Sequence, residues 1–232
     1  RDLQFRLEEA SPHKIVDLVF IADVAEPVSL PNGSIDDPGT IAWLHGYIDK
    51  LTATEDLSGA LMIAVGDDPI VERYFGYADS ARTVPCSRDT RFNLGSGDKM
   101  LTAVAAALLV ESGELAFETP VDRFLPGYAN RAWAASATLG HLLSHTSGAG
   151  EYWTAENAPE MARAGGTRDL LPLVERAPVD FAPGEGARYS NSNFILAGLI
   201  VEVASGMDYH EFVRSRILEP CGMRNTGVSV RD

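Results

Sequence analysis

The chain has 232 residues and a mass of 25.0 kDa, enough for one large domain or two small ones with a substantial core. Apolar residues make up 45% and charged residues 22%, which excludes an intrinsically disordered chain. The formal net charge of −14 argues against nucleic acid or an anionic membrane surface as a general partner. The apolar runs are also too short for membrane insertion.

The N-terminal residues have the pattern of a β-hairpin. Leu3, Phe5 and Leu7 alternate with polar neighbours, a Ser-Pro-His-Lys turn follows, and a second apolar strand begins at Ile15. Because an isolated hairpin is marginally stable, residues 1–27 are predicted to be either the tail of a preceding module or an N-terminal arm of the main domain. Residues 28–39 are rich in Pro, Gly, Asn and Asp and are predicted to be a linker.

Residues 40–232 are predicted to form the main domain. A helix begins at Asp37-Pro38 and runs to about residue 53, and two apolar strands follow at residues 58–65 and 70–77. Further helices are predicted at residues 97–112, 138–144, 170–176, 191–204 and 209–218. Two adjacent antiparallel strands beside many helices indicate an α+β fold, with an antiparallel sheet flanked by helices. A strand that begins near Val228 and then stops predicts a domain that is incomplete at its C-terminal end.

A serine and a lysine stand one helical turn apart at the start of the predicted helix 97–112. Ser96 and Lys99 are three residues apart, so their side chains share one helical face. A serine hydroxyl becomes a good nucleophile when a base takes its proton, and a neutral lysine can be that base. The alternative is a serine N-cap followed by a solvated lysine, since S-x-x-K is common by chance. The helix is apolar on nearly every face and is expected to be buried, which brings the catalytic interpretation level with the alternative.

Tyr189 and Asn191 form a second candidate pair, between a Pro-Gly-Glu-Gly turn and a predicted helix. Tyr189 offers a phenol for proton transfer, and Asn191 offers an amide that can hold a substrate carbonyl or amide. Taken alone, the pair is better explained as a buried aromatic residue and a helix N-cap.

Metal and disulfide signals are weak. His141 and His145 have the i, i+4 spacing of a zinc-binding helix, but Leu142 stands where that motif has Glu, so both are expected to be structural. No metal and no cofactor are predicted. Cys86 and Cys221 exclude a disulfide framework and leave a single bridge between them undecided.

Six segments, in collinear order, closely resemble the serine β-lactamase-like family, within it class C β-lactamases, DD-peptidases and the esterases built on the same scaffold. They are residues 92–103 (FNLGSGDKMLTA), 109–115 (LVESGEL), 120–126 (PVDRFLP), 138–148 (TLGHLLSHTSG), 183–191 (PGEGARYSN) and 219–226 (EPCGMRNT). The resemblance spans about residues 40–228. It is specific for the family and leaves the substrate open among β-lactams, D-peptides and simple esters.

The resemblance implies a β-lactamase/transpeptidase-like fold and a serine hydrolase that acts on an ester or amide through a covalent acyl-enzyme. It implies that Ser96 is acylated, with its backbone N–H as half of the oxyanion hole, and that Lys99 accepts its proton. Tyr189 would then shuttle protons to the leaving group and from water, and Asn191 would orient the substrate. His141 and His145 would belong to the scaffold.

One family element is absent after Asn191. The family has a Lys-Thr-Gly or His-Thr-Gly triplet on a strand beside the cleft, and the nearest match, Asn225-Thr226-Gly227, belongs to an earlier landmark. The expectation is therefore a chain that lacks its C-terminal strands, with a companion C-terminal segment as a candidate partner besides the small-molecule substrate. The alternative function is a non-catalytic or degenerate module with an incomplete site. Localisation stays open between extracytoplasmic and cytoplasmic.

Overall fold

The computed structural model describes residues 3–7, 15–20, 37–54 and 57–227, with the first two ranges described by their backbone alone. The chain divides into two compact units, Arg1–Thr90 and Arg91–Asp232. Most of the predicted linker 28–39 and the predicted strand at Val228 lie outside the described residues. The domain boundaries proposed from the sequence stay predictions.

The first unit contains two antiparallel hairpins. Strand β1 (Leu3–Leu7) pairs with β2 (Ile15–Phe20), as predicted, with Leu3 opposite Phe20 and an irregular register after Arg6. Strand β3 (Gly59–Val65) pairs with β4 (Asp68–Phe75) in the second.

One helix accompanies the second hairpin. Helix α1 (Pro38–Thr54) starts at a proline, and the Asp37 carboxylate accepts hydrogen bonds from the backbone N–H groups of Gly39 and Thr40 at 2.9 and 3.1 Å. Arg73 of β4 contacts His45 and Asp49 of α1 through its guanidinium. These contacts place α1 beside the strand.

The second unit is helical over its described residues. Its helices are α2 (Lys99–Glu111), α3 (Arg131–Ser136), α4 (Leu139–Leu143), α5 (Ala158–Met161), α6 (Leu171–Arg176), α7 (Asn191–Ser205) and α8 (Tyr209–Val213). Short 3-10 turns lie at Gly95–Asp98, Val121–Arg123 and Thr167–Leu170. The predicted helix 209–218 is divided, because α8 continues into a π-helical turn at Arg214–Leu218. The sequence analysis missed α3 and α5.

The core of this unit lies where α2 packs against α7. Its fully buried side chains include Ala105, Ala106, Leu196, Leu199 and Ile200. Burial of this apolar surface, at about 25 cal/mol per Å², is the main force that holds the two helices together.

Helix α2 is not buried on nearly every face, contrary to the expectation from its composition. Ala105 and Ala106 are fully buried, whereas Met100 is 63% and Val104 is 39% exposed. The helix packs against α7, α8 and the π-helical turn and leaves one exposed stripe, formed by Met100, Val104, Ala107 and Glu111, so uniform apolarity did not indicate uniform burial.

Two further expectations can be compared with the structure. Cys86 and Cys221 are both free thiols, so the undecided bridge between them is not formed. Within the part of the chain that the structure describes, none of the helices combines the length and the apolar character that crossing a membrane requires.

Candidate active site

The candidate nucleophile, Ser96, lies in the exposed 3-10 turn Gly95–Asp98 immediately before α2. The turn is held in place because the Asn93 side chain accepts the N–H of Gly95 at 2.8 Å and the Leu94 carbonyl accepts the N–H of Gly97 at 3.0 Å. This places the Ser96 side chain at the N-terminus of the helix, where the helix dipole favours negative charge.

Lys99 is the first residue of α2, and its amine contacts two of the other candidate residues. Its Nζ donates to Ser96 Oγ at 3.0 Å and to Asn191 Oδ1 at 2.9 Å. It also lies over two aromatic rings, 5.0 Å from the centroid of Tyr189 and 5.6 Å from that of Phe194. The amine is therefore within proton-transfer distance of the serine hydroxyl.

Tyr189 approaches Ser96 from the loop before α7. Its hydroxyl lies 2.6 Å from Ser96 Oγ and donates to Asn191 Oδ1 at 3.3 Å. Burial raises the pKa of Tyr189, but interaction with Lys99, the hydrogen bond with Ser96 and the charge of Lys99 outweigh it, so its pKa lies below the usual tyrosine value. A lowered pKa increases the fraction of phenolate, the form of tyrosine that can accept a proton.

His145 holds the ring of Tyr189. The two rings are in contact at a tilt of 32° with centroids 4.5 Å apart, and His145 Nδ1 lies 3.2 Å from the Ser190 N–H and 3.1 Å from Asn193 Nδ2. Burial and the charge of Lys99 lower the pKa of His145, against an opposing effect of Glu151. A neutral imidazole whose Nδ1 accepts both bonds satisfies this network.

His141 caps helix α4 and makes no contact with Tyr189 among the hydrogen bonds described below. Its Nδ1 accepts the N–H of Thr138, while the Thr138 hydroxyl accepts the N–H of His141, both at 3.2 Å, so the two residues cap α4 reciprocally. The structural role expected for both histidines agrees with these contacts. Among the described residues, no three His, Cys, Asp or Glu side chains lie together in a group that could hold a metal ion.

Asn191, the first residue of α7, is held by a residue that the sequence analysis did not identify. Glu151 Oε2 accepts the backbone N–H of Asn191 at 2.8 Å and its side-chain Nδ2 at 3.1 Å. Glu151 lies 40 residues before Asn191, so no local spacing could have indicated the pair.

An open cleft of about 540 Å³ adjoins three of the four candidate residues. Its lining includes Ser96, Lys99 and Asn191 together with the aromatic side chains of Tyr152, Trp153, Phe194 and Tyr209. Trp153 is 63% exposed. A polar end with the serine and an aromatic wall suit a small substrate with one reactive polar group and an apolar body.

Comparison with known proteins identifies the family. A family model described as Beta-lactamase matches residues 44–232. The chain belongs to the beta-lactamase family. The resemblance stated from the motifs and the β-lactamase/transpeptidase-like α+β fold predicted with it are confirmed.

Two curated members of the family show its breadth. The chain is 33% identical over 189 residues to Penicillin-binding protein 4* of Bacillus subtilis (strain 168). The aligned region covers 80% of the chain and 41% of the relative. It is 35% identical over 209 residues to Esterase EstB of Burkholderia gladioli. The aligned region covers 84% of the chain and 53% of that relative. The chain therefore spans about half the length of these relatives.

Solved structures of family members have the same fold. A penicillin binding protein from Bacillus halodurans superposes with a TM-score of 0.67 at 34% identity, over 80% of this chain and 57% of that one. A D-amino acid amidase from Ochrobactrum anthropi SV3 superposes with a TM-score of 0.68 at 28% identity, over 77% and 49%. One fold thus carries members named for different substrates.

Proposed function

We propose that this chain provides the nucleophile and the proton-transfer groups of a serine hydrolase that cleaves an ester or amide through a covalent acyl-enzyme. The observation that carries the proposal is the position of Ser96 Oγ, 3.0 Å from Lys99 Nζ and 2.6 Å from the Tyr189 hydroxyl. Two proton-transfer groups at hydrogen-bond distance from one hydroxyl are what nucleophilic activation of serine requires.

In the acylation step, Ser96 Oγ attacks the carbonyl carbon of the substrate while its proton passes to Lys99 or Tyr189. The new bond joins Oγ to the acyl carbon, and the bond from that carbon to the leaving oxygen or nitrogen breaks. The leaving group takes the proton. We assign its delivery to the hydroxyl of Tyr189, because that hydroxyl lies 2.6 Å from Ser96 Oγ.

In the deacylation step, water attacks the acyl carbon and gives its proton to the same base. The Ser96–acyl bond breaks, Ser96 regains its proton, and the free acid leaves. Asn191 contacts both Lys99 and Tyr189 through one oxygen, so it holds the two proton-transfer groups in a common orientation.

The substrate class is proposed from the chemistry and from the relatives together. An esterase, a beta-lactamase and a D-aminopeptidase are among the proteins that the chain resembles, and each name implies an acyl group bonded to oxygen or nitrogen. The same acyl-enzyme chemistry serves all three bonds.

Labelling with a fluorophosphonate, in parallel with a fluorescent penicillin, tests the proposal. Intact mass and peptide mapping should find one adduct, on Ser96, and Ser96→Ala should abolish both the adduct and the turnover of p-nitrophenyl acetate. Ser215→Ala, which changes a half-buried serine on the π-helical turn, is the matched control and should behave like wild type. An adduct on another residue would refute the assignment. Failure of the wild type to be labelled or to turn over would favour the alternative of a non-catalytic module.

A further inference from the structure

Glu151 makes three hydrogen bonds at the edge of the candidate active site. Its Oε2 accepts both the backbone and the side-chain N–H of Asn191, and its Oε1 accepts the N–H of Trp153 at 2.7 Å. Both carboxylate oxygens are therefore used, and the carboxylate has a fixed orientation.

The bond to Asn191 Nδ2 determines which way the Asn191 amide points. With Nδ2 directed at the carboxylate, Oδ1 is directed at Lys99 Nζ, which it meets at 2.9 Å. The reversed amide would place its oxygen against the Glu151 carboxylate and its NH2 against the Lys99 amine, which removes two hydrogen bonds and sets like groups together.

The loop that carries Glu151 is itself anchored to α7. The Gly150 carbonyl accepts the hydroxyls of Ser190 and Ser192 at 3.1 and 2.5 Å. A side chain at Gly150 would put its Cβ 1.9 Å from the Pro178 carbonyl oxygen, so this position excludes any residue larger than glycine. The close packing leaves Glu151 little freedom to move away from Asn191.

We propose that Glu151 is a positioning residue of this site, which fixes the amide of Asn191 and through it the Lys99 amine that activates Ser96. The inference rests on the proposed function. It assigns a task to a carboxylate that touches none of the reacting atoms and acts only through Asn191.

A double-mutant cycle tests whether Glu151 acts through Asn191. The second-order rate of fluorophosphonate labelling at Ser96 is measured for the wild type, Glu151→Ala, Asn191→Ala and the double variant. Loss of a charge-assisted hydrogen bond predicts a decrease of about tenfold or more for Glu151→Ala. The double variant should be no slower than Asn191→Ala, because the amide that Glu151 orients is then gone.

Conservative and control variants separate positioning from folding. Glu151→Gln keeps an oxygen that can accept from Asn191 and should restore part of the rate lost in Glu151→Ala. Its pH–rate profile should also move to lower pH, because the negative charge of Glu151 raises the pKa of Tyr189. Glu156→Gln removes the same charge from an exposed position of the same loop and should change neither rate nor profile. Urea unfolding of each variant checks that the fold is retained.

The outcomes distinguish the inference from the proposed function. A wild type that is not labelled at Ser96 overturns the proposed function and this inference with it. A labelled wild type in which the losses from Glu151→Ala and Asn191→Ala multiply in the double variant overturns the inference alone. Unchanged labelling in Glu151→Ala does the same.

Discussion

Removing the hydroxyl group of Tyr189 is the perturbation that best separates the proposed proton transfer from packing. Tyr189→Phe deletes the oxygen that lies 2.6 Å from Ser96 Oγ and leaves the ring in place. That ring keeps its contact with the His145 ring, with centroids 4.5 Å apart, and its position under the Lys99 amine at 5.0 Å. The proposed proton-transfer group is therefore removed while the packing of the ring is retained.

The expected effects on rate and on stability differ sharply. Loss of a positioned acid–base group predicts a decrease of about 10²–10⁴-fold, or about 3–5 kcal/mol of transition-state stabilisation. Tyr189 is 51% exposed, and its hydroxyl bonds are exposed, so the free energy of unfolding should change by no more than about 0.5 kcal/mol.

Two measurements on the same preparations check this prediction. The rate of acyl-enzyme formation is followed by intact mass after mixing with the acylating agent, and the free energy of unfolding is taken from urea titration. Tyr77→Phe, at a tyrosine that is 40% exposed in the other unit, is the control and should match the wild type in both. Undiminished acylation in Tyr189→Phe would refute the role given to this hydroxyl, and a large loss of stability would show that the residue is structural.

Two further predictions concern the scaffold around the site. Because the pKa of His145 is lowered on folding, the stability it contributes is present above its unfolded pKa of about 6.5 and is lost as pH falls through the folded value. The thermal midpoint should therefore fall on acidification below about pH 6.5, and it should fall less in His145→Asn; an equal fall in the two proteins would contradict this. Gly150→Ala should lower the free energy of unfolding by about 1–3 kcal/mol, because the added Cβ would clash with the Pro178 carbonyl. Gly127→Ala is the control and should not lower it, because a Cβ there meets no atom within 4 Å. Equal urea midpoints for the two variants would contradict this prediction.

Much of the site could be named from local sequence because its residues lie at the starts of helices. Ser96 and Lys99 are one turn apart, and Tyr189 and Asn191 are two residues apart, so each pair forms a compact motif. What the sequence could not supply was the distance between the pairs, which are separated by about ninety residues and meet only through tertiary packing. That the two pairs come together was indicated only by the family resemblance, which rests on the order of the motifs and not on a physical pattern in the sequence.

The features that could not be predicted from the sequence have different physical causes. Helices α3 and α5 have only six and four residues, too few for apolar periodicity to show. The exposure of Met100 depends on which face of α2 meets α7, and hydropathy alone does not report that. Glu151 has an ordinary loop composition around it, and its significance comes entirely from its contact with Asn191.

The packing of two helices explains why the four groups can act together. Ser96 and Lys99 lie at the N-terminus of α2, and Asn191 begins α7, so the α2–α7 contact brings both N-termini to one place. Both helix dipoles then favour negative charge at the serine oxygen, which becomes more negative as it attacks. At the N-terminus of α7, the Glu151 carboxylate already accepts the first backbone N–H group, so its negative charge partly cancels the dipole of α7. The dipole of α2 is therefore the stronger of the two at Ser96. The core between α2 and α7 therefore sets the distance between the Ser96–Lys99 pair and the Tyr189–Asn191 pair, and a substitution that slides one helix along the other should impair acylation before it unfolds the chain.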